Sequence, residues 1–428
     1  MGKDKVLICG GGTAGWLAAL MMHQKFDVTL IESKTIPTIG VGESTTEAVT
    51  DVLRAAGIDM EDFVSKTNAT GKYGIKFTGW PDFFHPFGET WLQEHIDEDS
   101  LKSIYNAGKD ISNLSPYTHL AKNKISPPLD FKDPYFHDVA LHWQNDLVAP
   151  YLKDFLGDKI KHHYHDIKTI KTDTNGIKSV DEFTADYYVD CTGQARLLSR
   201  QFGIEYIPFD DLHLDSAIIH TMPKTNNLYT EAIKRKFGWE WSIPLQDRNN
   251  RGYVYCSKWA TEQEILEEIG VKDNYETVSF CAGALTSIAY ENIISTGLSA
   301  HFIEPLEATN IEFSVFTIKW FMEAVEAGYD YDVLNDKLCT SVKEIRDFII
   351  LHYHNDDRFR TINNIEFRGT VEPWHPFNWY CVAQGVSPSK HINNNIDALL
   401  DYAIIEGKMH ERMASKTRDL PKAKQTSN

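Results

Sequence analysis

The chain has 428 residues, 42% of them hydrophobic and 12% aromatic, with 43 Lys and Arg against 61 Asp and Glu for a formal net charge of −18. These are globular proportions, so a disordered or fibrous chain is excluded, and the acidic balance argues against a nucleic-acid partner, whose phosphates need a basic face. The length allows two or three domains or one large unit. Cys9, Cys191, Cys256, Cys281, Cys339 and Cys381 form no C-x-x-C pair, so neither a zinc site nor a disulfide framework is indicated and no metal is expected. No apolar run reaches the ~20 residues of a membrane helix. The stretch 6–22 is interrupted by glycines, and the first residues leave no room for a cleavable leader, so a cytoplasmic chain with no membrane partner is expected.

Val6-Leu7-Ile8-Cys9 is too short and apolar for a helix and reads as a buried parallel strand. Gly10-Gly11-Gly12-Thr13-Ala14-Gly15 follows, then an apolar stretch of helical length, 16–22. In this G-x-G-x-x-G, Gly10 allows the tight turn, Gly12 lets the backbone approach a pyrophosphate, and Gly15 lets helix and strand pack closely. Amides at the helix start then meet the anion. A second apolar run, Val28-Thr29-Leu30-Ile31, ends at Glu32, 20 residues after Gly12, where a carboxylate accepts from a ribose diol. Together these predict a dinucleotide site.

Further on, Pro37-Thr38-Ile39-Gly40-Val41-Gly42-Glu43-Ser44-Thr45 again permits close backbone approach beside the first nucleotide unit. Residues 100–150 are polar and rich in His, Pro and aromatics, which predicts surface loops over a substrate mouth, with a helix from Leu141 through Leu156. Tyr187-Tyr188-Val189-Asp190-Cys191-Thr192-Gly193 reads as another buried strand with a small polar turn, an ending like that of FAD-dependent oxygenases. Amphipathic helices are predicted over 311–327 and 331–354, and Phe359, Trp374, Phe377 and Trp379 supply either substrate walls or a helical core. His352 and His354 lack a third ligand at useful spacing, which removes a metal reading.

Trp239-Glu240-Trp241-Ser242-Ile243-Pro244 reads W-x-W-x-I-P, and with the G-x-G-x-x-G start it resembles the flavin-dependent halogenases of the tryptophan-halogenase type. Similar to that family's motifs are also the segment from Pro37 to Thr45, Lys72-Tyr73-Gly74-Ile75-Lys76-Phe77 ending at Trp80, His85-Pro86-Phe87, and Phe302-Ile303-Glu304-Pro305-Leu306-Glu307-Ala308-Thr309. The resemblance implies an α/β, FAD/NAD(P)-binding Rossmann-like fold of the FAD-monooxygenase kind with a mostly helical substrate part. The motifs interleave, so 1–428 is expected to be one interwoven unit. Its FAD module would comprise approximately 1–80, 160–200 and 285–330, and its substrate part 81–159, 201–284 and 331–420.

The activity implied is halogenation of a small, electron-rich aromatic substrate of indole or phenol type, with FADH2, O2 and halide converted to hypohalous acid. No separate NADH motif is visible, so a flavin reductase is the expected partner; a homo-oligomer is compatible with the sequence. FAD would be held by Gly10, Gly11, Gly12, Thr13, Ala14, Gly15, Glu32, Gly40, Gly42, Glu43, Ser44, Asp190 and Gly193. Lys72 would deliver the halogen, as hydrogen-bond donor or as haloamine. Lys76 lies four residues on and on an extended segment shares its face, so the resemblance rather than geometry selects Lys72. Glu307 would polarise the hypohalous acid or take the ring proton, with Glu304 and Glu312 nearby.

Halide would rest on the amides of Thr309 and Asn310. Ala308-Thr309-Asn310 replaces the family's usual Ser-Thr-Gly, which points to bromide or iodide over chloride; Gly297-Leu298-Ser299-Ala300-His301 departs from G-D-A-A. Trp239 and Trp241 are expected as channel residues. A flavin monooxygenase or epoxidase, and a redox-sensing FAD protein, are the alternatives.

Overall fold

The computed structural model describes residues 2–36, 43–88, 92, 95–125, 139–328, 331–353, 356–359 and 376–386. Gly40, Gly42, Trp374 and His354 lie outside the described residues. Among the described residues the first half of the dinucleotide motif folds as its pattern predicts. Lys5–Cys9 is a strand, buried from its second residue, and pairs in parallel with Asp27–Glu32 on one side and Tyr187–Asp190 on the other. The sheet runs Ala289–Tyr290, Ile293–Ser295, Tyr187–Asp190, Lys5–Cys9, Asp27–Glu32, Lys161–Tyr164. Its central strands are apolar because helices cover one face and the hairpin Ile170–Asp173/Gly176–Val180 covers the other. Thr13–Met22 is one of those covering helices, with most of its residues buried.

A seven-stranded sheet carries the second half of the site, in the order Tyr275–Ser279, Ser216–Pro223, Arg248–Tyr255, Gly238–Pro244, Thr230–Lys234, Gly74–Thr78, Phe83–Pro86. Every residue of Gly238–Pro244 is buried. Opposite Trp241 stands Gly252, where any Cβ would fall 1.9 Å from the indole, so the glycine makes room for the ring. Residues 201–284, assigned above to a mostly helical substrate part, thus contribute chiefly strands. Helices in that part come from Glu98–Asn106, Pro116–Asn123, Asn145–Leu156, Glu262–Ile269, Tyr331–His352 and Pro376–Val386. One continuous hydrophobic core extends from Val6 to Val386.

Two expectations are corrected. The segment 141–156 is not one helix: Ala140–Trp143 is a strand paired with Glu43–Ser44 and Thr70–Lys72, and the helix is Asn145–Leu156. A short apolar run fits either state, and pairing on both sides decides for the strand. Nor do the described residues of 100–150 form surface loops. Leu101, Ile104, Ile111, Leu114, Tyr117 and Leu120 are all fully buried. The polar residues between them serve as helix caps: Asp97 accepts from the Ser100 amide, and Ser115 precedes Pro116 and accepts from Tyr117. The later helices hold at Thr309–Ala327, closed by Gly328 at φ 63°, and Tyr331–His352. No described helix is long and apolar enough to cross a membrane.

Candidate active site

At the nucleotide end, the chain leaves Cys9 through Gly10, whose amide donates to the Ile31 carbonyl at 2.8 Å. Gly10 has φ +116°, and a Cβ there would stand 2.1 Å from the Cys191 carbonyl oxygen. Gly15 is crowded in turn, its Cβ position 2.0 Å from the Gly10 carbonyl oxygen. Gly12 faces open space within 4 Å and caps Thr13–Met22, which has no side-chain cap and no acid in its first turn. Bare amides at a positive helix end beside open space are what a pyrophosphate needs, so the residues present fit FAD. Gly10→Ala is therefore expected to abolish FAD retention, read as loss of flavin fluorescence quenching. Both the left-handed backbone and the Cys191 contact must be broken, each costing ~1–3 kcal/mol.

Of the other predicted FAD residues, Glu32, Thr13, Ala14 and Asp190 adjoin this turn or its strands, whereas Glu43 and Ser44 lie in a separate sheet. Glu32 ends its strand with its carboxylate over Gly11 and Oε1 2.7 Å from His162 Nε2. Thr13 donates its hydroxyl to Asn145 Oδ1 at 2.6 Å, and Ala14 packs against Gly297. Asp190 is fully buried and organises its own turn, accepting from the amides of Thr192, Leu198 and Ser199 and from the Ser299 hydroxyl. Ser299 also donates to the Gly193 carbonyl. Glu43 and Ser44 pair through their backbones with Trp143 and His142.

Lys72 ends the strand Thr70–Lys72 and is fully buried; its Nζ donates to the Thr45 carbonyl at 2.8 Å and lies 4.5 Å from the Phe87 ring centroid. Burial pulls its pKa down to about 7, against the attraction of Glu307, Glu47 and Glu312. Lys72 and Lys76 do not share a face. The chain breaks at Tyr73 and turns at Gly74, where a Cβ would meet the His85 carbonyl oxygen at 2.4 Å, and the two lysines enter different sheets. Lys76 is 42% exposed and stands 4.0 Å from Glu231. Geometry therefore separates what spacing could not.

Glu307 sits in the short turn Leu306–Ala308, where Glu307 at φ 65° and Ala308 at φ 61° are both left-handed. Two successive non-glycine residues in that region concentrate strain at one carboxylate. That carboxylate is 4% exposed and receives His85 Nδ1 at 2.9 and 3.0 Å and His352 Nε2 at 2.9 Å. Burial alone would raise its pKa, but the charge and hydrogen bonds of His85 and His352 hold it well below the usual carboxylate range. His85 moves the other way: burial opposes its protonation, yet Glu307 draws it upward. A cavity of about 30 Å3, room for a water-sized guest, is lined by Glu307 and His85 together with Glu47, Glu312, Phe87 and Phe348.

The three acids close in sequence are thus distinct in space. Glu304 is buried away from this cavity's lining, accepts from the Tyr353 hydroxyl, and is pushed by burial up to about 8. Glu312 reaches the cavity from the helix Thr309–Ala327. That helix begins without a side-chain cap, and the fully buried Thr309 hydroxyl has no hydrogen-bond partner among the described residues; nor has Asn310 Oδ1. Free amides and an unsatisfied hydroxyl are donors suited to an anion. Trp239 and Trp241 are buried, 6.2 Å apart edge to face.

Sequence reasoning missed His162, Asn378 and the joint role of His85 and His352. The H-P-F resemblance marked His85, but no local spacing links residues 85, 307 and 352.

The chain from 5 to 364 matches the family model described as tryptophan halogenase. It is 30% identical over 426 residues to the tryptophan 7-halogenase of Lentzea aerocolonigenes, covering 84% of this chain and 77% of that protein. With the tryptophan 6-halogenase of Streptomyces toxytricini it shares 29% over 419 residues, 83% of this chain and 80% of that one. Among solved structures, the tryptophan halogenase of Shewanella frigidimarina superposes with a TM-score of 0.85 at 20% identity, covering 98% and 96% of the two chains. A flavin-dependent halogenase from Xanthomonas campestris does so at 0.81 and 24%, covering 98% and 97%. These two show the α/β fold to be shared. From the model match and the relatives together, the chain belongs to the tryptophan-halogenase family.

Proposed function

We propose that this chain uses reduced FAD, dioxygen and halide to halogenate an electron-rich aromatic substrate. One observation carries the reading: a fully buried lysine, Lys72, lies over the Phe87 ring and within the electrostatic reach of Glu307, and Phe87 and Glu307 both line one small cavity. Reduced FAD, when bound, supplies with dioxygen the equivalents that oxidise halide to hypohalous acid. Gly10 to Gly15 and Glu32 would hold it, and a separate flavin reductase would supply it.

Lys72, whose pKa burial lowers to about 7, donates a hydrogen bond to the hypohalous acid when protonated and fixes where its halogen emerges. Glu307 sets the opposing charge. As halogen bonds to the ring carbon the O–X bond breaks, and the departing hydroxide takes the Lys72 proton and leaves as water; the ring C–H bond then breaks, its electron pair restores aromaticity, and the Glu307 carboxylate accepts the proton. The curated relatives are named for tryptophan, so an indole is the first substrate class to try.

Incubation with reductase, FAD, NADH, a halide panel and a set of indoles and phenols, read by mass spectrometry, tests this reading. Halogenated product is expected; oxygenated product without halogen would indicate a monooxygenase instead. Thr309 and Asn310 are the halide donors in this scheme, with Ala308 lacking the hydroxyl of the family's usual serine. Bromide or iodide should therefore outcompete equimolar chloride by about tenfold, a difference of ~1.4 kcal/mol. A chloride preference would remove the halide inference.

A further inference from the structure

His352 makes two hydrogen bonds that fix its protonation. Nδ1 lies 2.9 Å from the Phe348 carbonyl oxygen, one turn back along the same helix, and Nε2 lies 2.9 Å from Glu307 Oε1. A carbonyl and a carboxylate only accept, so both ring nitrogens must donate for both contacts to hold. A neutral imidazole has one N–H and cannot do this. Either the ring is an imidazolium or Glu307 carries the proton.

The opposite side of Glu307 decides between them. His85 Nδ1 bridges both carboxylate oxygens at 2.9 and 3.0 Å, a contact for which an anion offers two acceptors whereas a carboxyl would offer one acceptor and one O–H, so the bridging geometry favours the anion. His85 has a second bond, from Nε2 to the Asn378 side-chain amide at 3.1 Å, and that amide can be oriented to accept or to donate. His85 is therefore content in either charge state, whereas His352 is not. The His352 and Glu307 side chains are 0% and 4% exposed, and in such surroundings a paired cation and anion cost far less than either alone. Lys72, Glu47, Glu312 and Cys381 face this pair from the neighbouring elements, and of these only Lys72 can add positive charge.

We propose that His352 is a positioning residue held as an imidazolium, which keeps Glu307 an anion and aims it, from its left-handed turn, at the lysine that directs the halogen. The assignment of Glu307 to halogenation rests on the function proposed above. The protonation of His352 does not, and can be read without turnover.

Neutron diffraction from perdeuterated crystals of the full chain near pH 7 should show deuterium on both Nδ1 and Nε2 of His352 and none on the Glu307 oxygens. Deuterium on a single ring nitrogen, or on Glu307, would overturn the proposal. In solution, His352→Gln keeps a donor toward Glu307 but not the charge. With FAD affinity unchanged, it should lower kcat about tenfold at pH 7 and move the acid limb of the kcat profile up by about one pH unit, as loss of an adjacent cation does. An acid limb that stays in place would also overturn it. A wild-type chain that yields no halogenated product would remove the functional reading while leaving the neutron result standing.

Discussion

Lys72→Met is expected to abolish halogenation, by at least ~10³-fold, and at the same time to make the protein more stable. Both effects come from one feature, a side chain with no solvent exposure that carries an amine into the core. Burial lowers its pKa to about 7 from an unfolded value near 10.5, so the unfolded chain binds the proton more tightly than the folded one. The resulting cost is fully present below pH ~7, fades as pH rises, and is gone above pH ~10.5. Methionine fills similar volume without that cost, although the bond to the Thr45 carbonyl is lost. A gain on the order of 2 kcal/mol at pH 6, shrinking toward zero at pH 10, is expected from calorimetry. Pyrophosphate binding at the Gly10 turn, which lies in another sheet, should persist, although Lys72 shares its own sheet with Glu43–Ser44. A variant that halogenates at the wild-type rate would move the role elsewhere, and one destabilised at pH 6 would show the lysine to be well compensated.

The dinucleotide half was legible because its requirements are local. Gly10, Gly12 and Gly15 answer to contacts within a few residues or to the strand next door, and their spacing carries the whole geometry. Lys72 was legible only by resemblance. A period of two puts residues 72 and 76 on one face of a continuous strand, and continuity fails at Gly74, where close approach to His85 makes the chain turn. The histidine clamp was hidden for a different reason. His352 ends a 22-residue helix and His85 lies on a strand, and only the fold brings them to opposite sides of Glu307. Helix caps misled in the opposite direction: Asp97, Asp110 and Ser115 have loop-like composition but start helical segments whose apolar residues are fully buried.

Glu307→Gln should produce the converse of the lysine variant, with both activity and stability lost. The amide is nearly isosteric, and its oxygen at the Oε1 position can still accept from His85 and His352. Its NH2 then stands where Oε2 was, 3.0 Å from His85 Nδ1, so one accepting contact becomes two donors face to face. More costly is the missing charge, since the buried imidazoles lose the anion that offsets them, and breaking one side of such a pair typically costs ~3–5 kcal/mol. His85, drawn upward chiefly by Glu307, should then release its proton at lower pH, visible as a changed histidine titration by NMR. With no carboxylate to oppose Lys72 or accept the ring proton, kcat should fall roughly 10²–10³-fold with little change in KM for the aromatic substrate. Equal loss in kcat and rise in KM would instead place Glu307 in ground-state substrate binding. Opposite stability changes at Lys72 and Glu307 would locate the cost of this site in the lysine and its compensation in the histidine-held carboxylate, which no pairwise strengthening of a simple ion pair could produce.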